Sequence, residues 1–270
     1  MSTEPDFRIY PRVLCLAPAY APADSAVLER PVAPVDAAAP VAAVAPGDAV
    51  AAAAPVTPVA PGDGRPRAEQ AVGTRVDRLL RRLDAEGVRQ VVVCPRPRGA
   101  PRRERVGERA LLRRVGAPPV PTVPVFALAA AGSLLRLART ADVLHLHHAG
   151  EIAALPLAVS VARVWDIPLI ITLYETESGE MPDEDVRARA RRGIGRALER
   201  AAALRAAAVI TPDPVLAQRL AAEGLPPNRI HVLPPDLPDA EAALHLLDIY
   251  RAVWARHLAR RVAIWHPMPR

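Results

Sequence analysis

The chain has 270 residues, of which 51% are hydrophobic and 3% aromatic, and it carries a net charge of +6 from 35 basic and 29 acidic side chains. That composition supplies a core built from Ala, Val and Leu. Every basic residue is arginine and no basic stretch is interleaved with aromatic side chains, which argues against nucleic-acid binding by base stacking.

The opening segment MSTEPDFRIYPR is polar and does not read as a secretory leader. The longest apolar runs, near 125–135 and 152–162, fall short of the roughly 18 residues that cross a bilayer. A cytoplasmic protein is expected. Its two cysteines, Cys15 and Cys94, fall on expected buried strands and read as core thiols of a reducing compartment.

In chain order, Arg12 to Ala17 (RVLCLA) is an uninterrupted apolar run, as in a strand buried on both faces of a parallel sheet. From Pro31 to Arg67 the chain is rich in Pro, Ala and Val and repeats VAPGD at Val44 and Val59, which predicts an extended, disordered insert. Gly73 to Gly87 reads as a helix with Val76, Leu79, Leu80 and Leu83 on one face and a glycine stop. Val88 to Cys94 is the next strand, and together they predict a right-handed βαβ unit. An Arg-rich connection, Arg96 to Arg114, follows. Val120 to Phe126 is expected to form a strand interrupted by prolines and Gly132 to Arg139 a short helix.

The pattern then becomes regular. Strands are expected at 142–146, 168–173, 209–211 and 230–233, with helices at 152–165, 184–205 and 214–223 between them. This alternation predicts an α/β, doubly wound, mostly parallel sheet. The last segment, 239–265, places Leu247, Tyr250, Trp254, Leu258, Val262 and Trp265 on one helical stripe, a docking helix for this domain or for a partner.

Four ordered segments carry a resemblance. RVLCLAPAYAP, AVGTRVDRLLRRLDAEGVRQVVVCPRP, ADVLHLHHAGEIAALPLAVSVARVWDIPLIITLYE and ALERAAALRAAAVITPDPVLAQRLAAEGLPPNRIHVLPP resemble the N-terminal domain of family 4-like glycosyltransferases. The resemblance implies a Rossmann-like GT-B acceptor domain. It divides the chain into a first strand and loop (1–30), the insert (31–67), the rest of the domain (68–238) and a terminal helix and tail (239–270). DAEAALHLLDIYRAVWARHLA resembles the helix with which that family crosses back onto its N-terminal domain. Thirty-two residues follow Pro238, no two glutamates stand eight apart and no glycine follows Gly224, so the expectation is an acceptor half without the nucleotide-sugar-binding domain. A separate donor-domain chain is the implied partner, and no cofactor or metal is expected.

The resemblance puts His147 at the carboxyl end of a strand, where open sheets bind ligands, as the candidate catalytic residue. His148, Glu151, Tyr174 and Glu175 would share that mouth as acceptor-binding groups, beside Glu177. Gly73 and Thr74 would open a helix whose N–H groups meet a phosphate. Each has a plainer reading, as a core histidine, a solvated carboxylate or an ordinary helix start. His145, deeper on the same strand, reads as hydrogen-bonded core. A metal-dependent hydrolase using His145, His147 and His148 is an alternative, as is a non-catalytic interaction or regulatory module. The Arg runs at 96–114 and 187–205 read as solvated faces or as a surface for anionic membrane.

Overall fold

The computed structural model describes residues 10–18, 20, 67–97, 99–116, 123–174 and 186–265. The expected insert, but for Arg67, lies outside them, as do Glu175 and Glu177. The strands are β1 (Val13–Leu16), β2 (Gln90–Pro95), β3 (Arg103–Arg105), β4 (Ala110–Val115), β5 (Val143–His148), β6 (Leu169–Leu173), β7 (Ala208–Thr211) and β8 (Ile230–Val232). The helices are α1 (Arg67–Ala85), α2 (Val123–Ala138), α3 (Ala154–Val164), α4 (Val186–Arg205), α5 (Pro214–Ala222) and α6 (Asp239–Trp265).

The eight strands form one sheet in the order β3-β4-β2-β1-β5-β6-β7-β8. Only β3 runs antiparallel to its neighbour. Side chains alternate between the two faces along each strand. Val13, Cys15, Ile170, Ala208 and Ile210 pack with residues of α1 and α6. Leu14, Leu16, Leu144, Leu146, Ile171 and Val209 pack with residues of α2, α3, α4 and α5. Covering both faces explains why the strands are apolar throughout.

Local chemistry sets the element ends. Gly87 (φ 90°) and Gly224 (φ 96°) turn the chain in the left-handed region after α1 and α5. Asp213 caps α5 by accepting from the Val215 amide at 2.8 Å, with Pro214 in the first turn, where no N–H is needed.

Three expectations are corrected. Of the strand expected at Val120–Phe126, the described part is helical: α2 starts at Val123, and the stripe Phe126, Ala130, Leu134 and Ala138 is buried against the sheet. Pro124 lies in the first turn of this helix and so does not interrupt it. The Arg-rich connection contains the β3–β4 hairpin, in which Arg114 is buried and pairs with Glu104. Helix α1 begins at Arg67, six residues before Gly73.

Helix α6 docks on its own domain. Ala242, Ala243, Leu246, Leu247, Tyr250 and Val253 are buried, whereas Leu258 and Val262, further along the expected stripe, are 41% and 59% exposed. Among the described residues no helix is long and apolar enough to cross a membrane.

Candidate active site

The sequence VLHLHH forms β5 at the centre of the sheet, and alternation sends its three histidines to two faces. His145 is fully buried, with Nδ1 2.7 Å from the Tyr250 hydroxyl of α6 and Nε2 2.8 Å from the Thr172 hydroxyl of β6. One ring nitrogen donates and the other accepts, so both partners hold a neutral imidazole. Desolvation drives its pKa well below the ordinary histidine value, and His147 adds to the effect.

His147 lies one pleat nearer the carboxyl end. Its Nδ1 is 3.1 Å from the Tyr174 hydroxyl, and its ring centroid is 4.0 Å from that of His145. Burial pushes its pKa down to about 3, and burial raises the Tyr174 and Tyr250 phenols. Near neutral pH the cluster is therefore a set of uncharged hydrogen-bonding groups.

Above His147 is a cavity of about 10 Å³, lined among others by Arg75, Thr172, Tyr174 and Leu246. It is no larger than the space one water needs. Arg75 of α1 donates to the Pro234 carbonyl at 2.7 Å and to Leu233 O at 3.4 Å, tying α1 to the turn before α6. On the same side Tyr20, just after β1, donates its hydroxyl to the buried carboxylate of Asp77, which also accepts from Arg81 Nε at 2.9 Å.

Of the sequence-derived candidates, the structure brings His147 and Tyr174 together. His148 points to the opposite face, where Nε2 is 3.1 Å from Glu199 of α4 and Nδ1 is buried without a partner among the described residues. Glu151 is buried and accepts from the Ala149 amide at 3.3 Å, shaping the loop between β5 and α3. Gly73 and Thr74 are in the second turn of α1, so their amides belong to the helix ladder and do not form an open helix end. Glu175 lies outside the described residues.

The histidine trio cannot share one cation, because His148 faces away from the other two. A different set, Cys15, His145 and His147, brings its donor atoms within 4.8 Å of one another. Both nitrogens of His145 are already engaged, so a cation held there would have to displace Tyr250 or Thr172. The set fits a hydrogen-bonded core better than a metal centre.

Sequence reasoning missed Arg75, Thr172, Tyr20 and Asp77. Asp77 had a signal: it falls among Val76, Leu79, Leu80 and Leu83 on the apolar face of α1, where an unpaired carboxylate would be costly. Arg75 had none, because its partners are backbone carbonyls about 160 residues away.

Residues 70–236 match the family described as Glycosyl transferase 4-like domain. No curated protein matches the chain. Among solved structures, a sucrose-phosphate synthase from Thermosynechococcus elongatus is 15% identical with a TM-score of 0.52, covering 66% of this chain and 93% of that one. That likeness shows the fold, a Rossmann-like GT-B domain. The S. aureus MnaA–UDP co-structure (14% identical, TM-score 0.40) and the UDP-N-acetylglucosamine 2-epimerase from Rickettsia bellii (13%, 0.38) cover 60% and 64% of this chain. The matches span 40% and 44% of those two chains.

Proposed function

The chain belongs to the glycosyl transferase 4-like family, and from that premise we propose that it supplies the acceptor side of a retaining hexosyl transfer from a nucleotide sugar. In this reading the nucleotide sugar is held by a donor-binding unit other than the domain described here. The observation that carries this reading is the pairing of His147 with Tyr174 at the carboxyl end of the sheet in a domain of this family.

The pKa of His147 narrows its part in the reaction. A base of pKa about 3 takes up little proton near neutrality, so His147 holds the acceptor hydroxyl by a hydrogen bond and does not deprotonate it. As the bond from the sugar to the departing phosphate breaks and the bond to the acceptor oxygen forms, the hydroxyl proton leaves with the phosphate. Charge stabilisation at that phosphate falls to groups of the donor-binding unit. The cavity above His147 admits no sugar as it stands, so Tyr174 or Arg75 moves when acceptor enters.

Calorimetric titration of the chain with UDP-, GDP- and ADP-sugars tests the division of labour. We expect no binding; micromolar binding would put a donor site within these residues and overturn the reading. The small cavity favours a second reading, a non-catalytic interaction module derived from a glycosyltransferase. His147→Ala separates the two. Loss of a glycosylation phenotype supports the acceptor role, and its retention together with sensitivity to deletion of α6 supports the module.

A further inference from the structure

At the amino edge of the sheet, opposite the histidine cluster, a cleft of about 790 Å³ opens between the starts of β6, β7 and β8 and the second half of α6. Its walls carry six arginines, Arg163, Arg205, Arg229, Arg256, Arg260 and Arg261, against one carboxylate, Asp166. Five of the six are exposed and Arg229 is half-buried. Of these six, only Arg261 pairs with a carboxylate among the described residues, at 3.8 Å from Asp166, which also lies 4.0 Å from His257.

Arg163 and Arg205 close the last turns of α3 and α4, where the helix dipole favours a cation without any ligand. Arg256 and Arg260 have no such explanation. They lie within α6, which has no basic residue in its last turn. Bringing like charges together in a concavity is unfavourable unless an anion offsets it. The cleft volume lies within the roughly 300–1,000 Å³ of small-molecule sites, and a concave site suits a compact ligand better than a flat membrane.

We propose that this cleft is a binding site for a compact ligand carrying two or more phosphoryl groups, held by Arg256 and Arg260 of α6 facing Arg163, Arg205 and Arg229. Guanidinium forks match phosphate oxygens in pairs, and the unpaired arginines supply the forks. Asp166 is the one opposing charge and tunes affinity downward. The site is a strand length away from His147 and stands or falls independently of the acceptor reading.

Titration of the full chain with inorganic tripolyphosphate at physiological salt is the test, with Arg256→Glu/Arg260→Glu as the variant. Arg103→Glu/Arg105→Glu, exposed on β3 at the far sheet edge, is the charge-matched control. One-to-one binding is expected to weaken about tenfold or more in the cleft variant and about twofold or less in the control. Asp166→Asn, which keeps a side chain suited to the φ of 46° at this position, is expected to tighten binding several-fold. Sedimentation with phosphatidylcholine vesicles containing a bisphosphorylated phosphoinositide distinguishes the source. Pelleting that depends on Arg256 and Arg260 assigns a lipid headgroup, and failure to pellet alongside tripolyphosphate binding assigns a free phosphate compound. Neither binding nor pelleting, or equal losses in both double variants, overturns the proposal.

Discussion

The two edges of this sheet handle polar groups in opposite ways. At the carboxyl edge the histidines and their hydroxyl partners are uncharged and turned on one another: His145 is held between Tyr250 and Thr172, His147 meets Tyr174, and the space left over is about 10 Å³. At the amino edge the groups are charged and turned on an open cleft of about 790 Å³, with six arginines facing one carboxylate. Enclosure lowers the histidine pKa values and makes each hydrogen bond costly to lose. Openness leaves the arginines hydrated, so they contribute little to folding and remain available to a ligand. The carboxyl edge holds its polar groups within the core; the amino edge leaves its charges open to solvent.

The largest expected effect tests that contrast at Tyr250. Tyr250→Ala removes a fully buried ring and one partner of His145, and urea unfolding should show a loss of about 3–5 kcal/mol. A loss below about 1 kcal/mol would mean the carboxyl edge is not the tightly packed one. A second, smaller effect is on pH. With the His147 pKa lowered from 6.5 to about 3, the unfolded chain binds a proton that the folded one does not. No penalty exists above 6.5; it grows as pH falls between 6.5 and about 3 and is constant below. The slope is up to roughly 1.4 kcal/mol per pH unit for this group. His147→Gln should flatten stability against pH in that window, and an unchanged slope would show that His147 is solvated. The smallest effect belongs to the amino edge. Arg256→Glu and Arg260→Glu should each shift unfolding by no more than about 0.5 kcal/mol, and a larger loss would recast the cleft as structural.

Sequence reasoning located the elements that obey a period. The strands at β1, β2, β5, β6 and β7 fall within two residues of their expected places, because buried parallel strands are apolar on both faces. The pairing of His145 with the core was legible from its depth on β5. The β3–β4 hairpin was not, because Arg113 and Arg114 break the apolar pattern and Glu104, the residue that neutralises Arg114, becomes its partner only once the hairpin forms. The second half of α2 was expected at 132–139, but its first half was hidden by its prolines, although Phe126, Ala130, Leu134 and Ala138 recur at a helical spacing of four. The proximity of His147 and Tyr174 was legible from their places at the ends of neighbouring strands. Arg75 and the basic cleft were not, because both depend on contacts between segments far apart in the chain.

Helix α6 has a consequence for the order of events in folding. The hydroxyl that satisfies His145 at the middle of the sheet is supplied 105 residues later in the chain. Helix α1, one of the earliest elements, also waits for α6 to cover it. Forming such distant contacts costs loop entropy before any burial compensates, so the rate-limiting step should be late docking of α6 onto a nearly complete sheet. Until then the uncovered face exposes Cys15, Ile170 and Ile210, and an intermediate halted there would be prone to associate with its own kind.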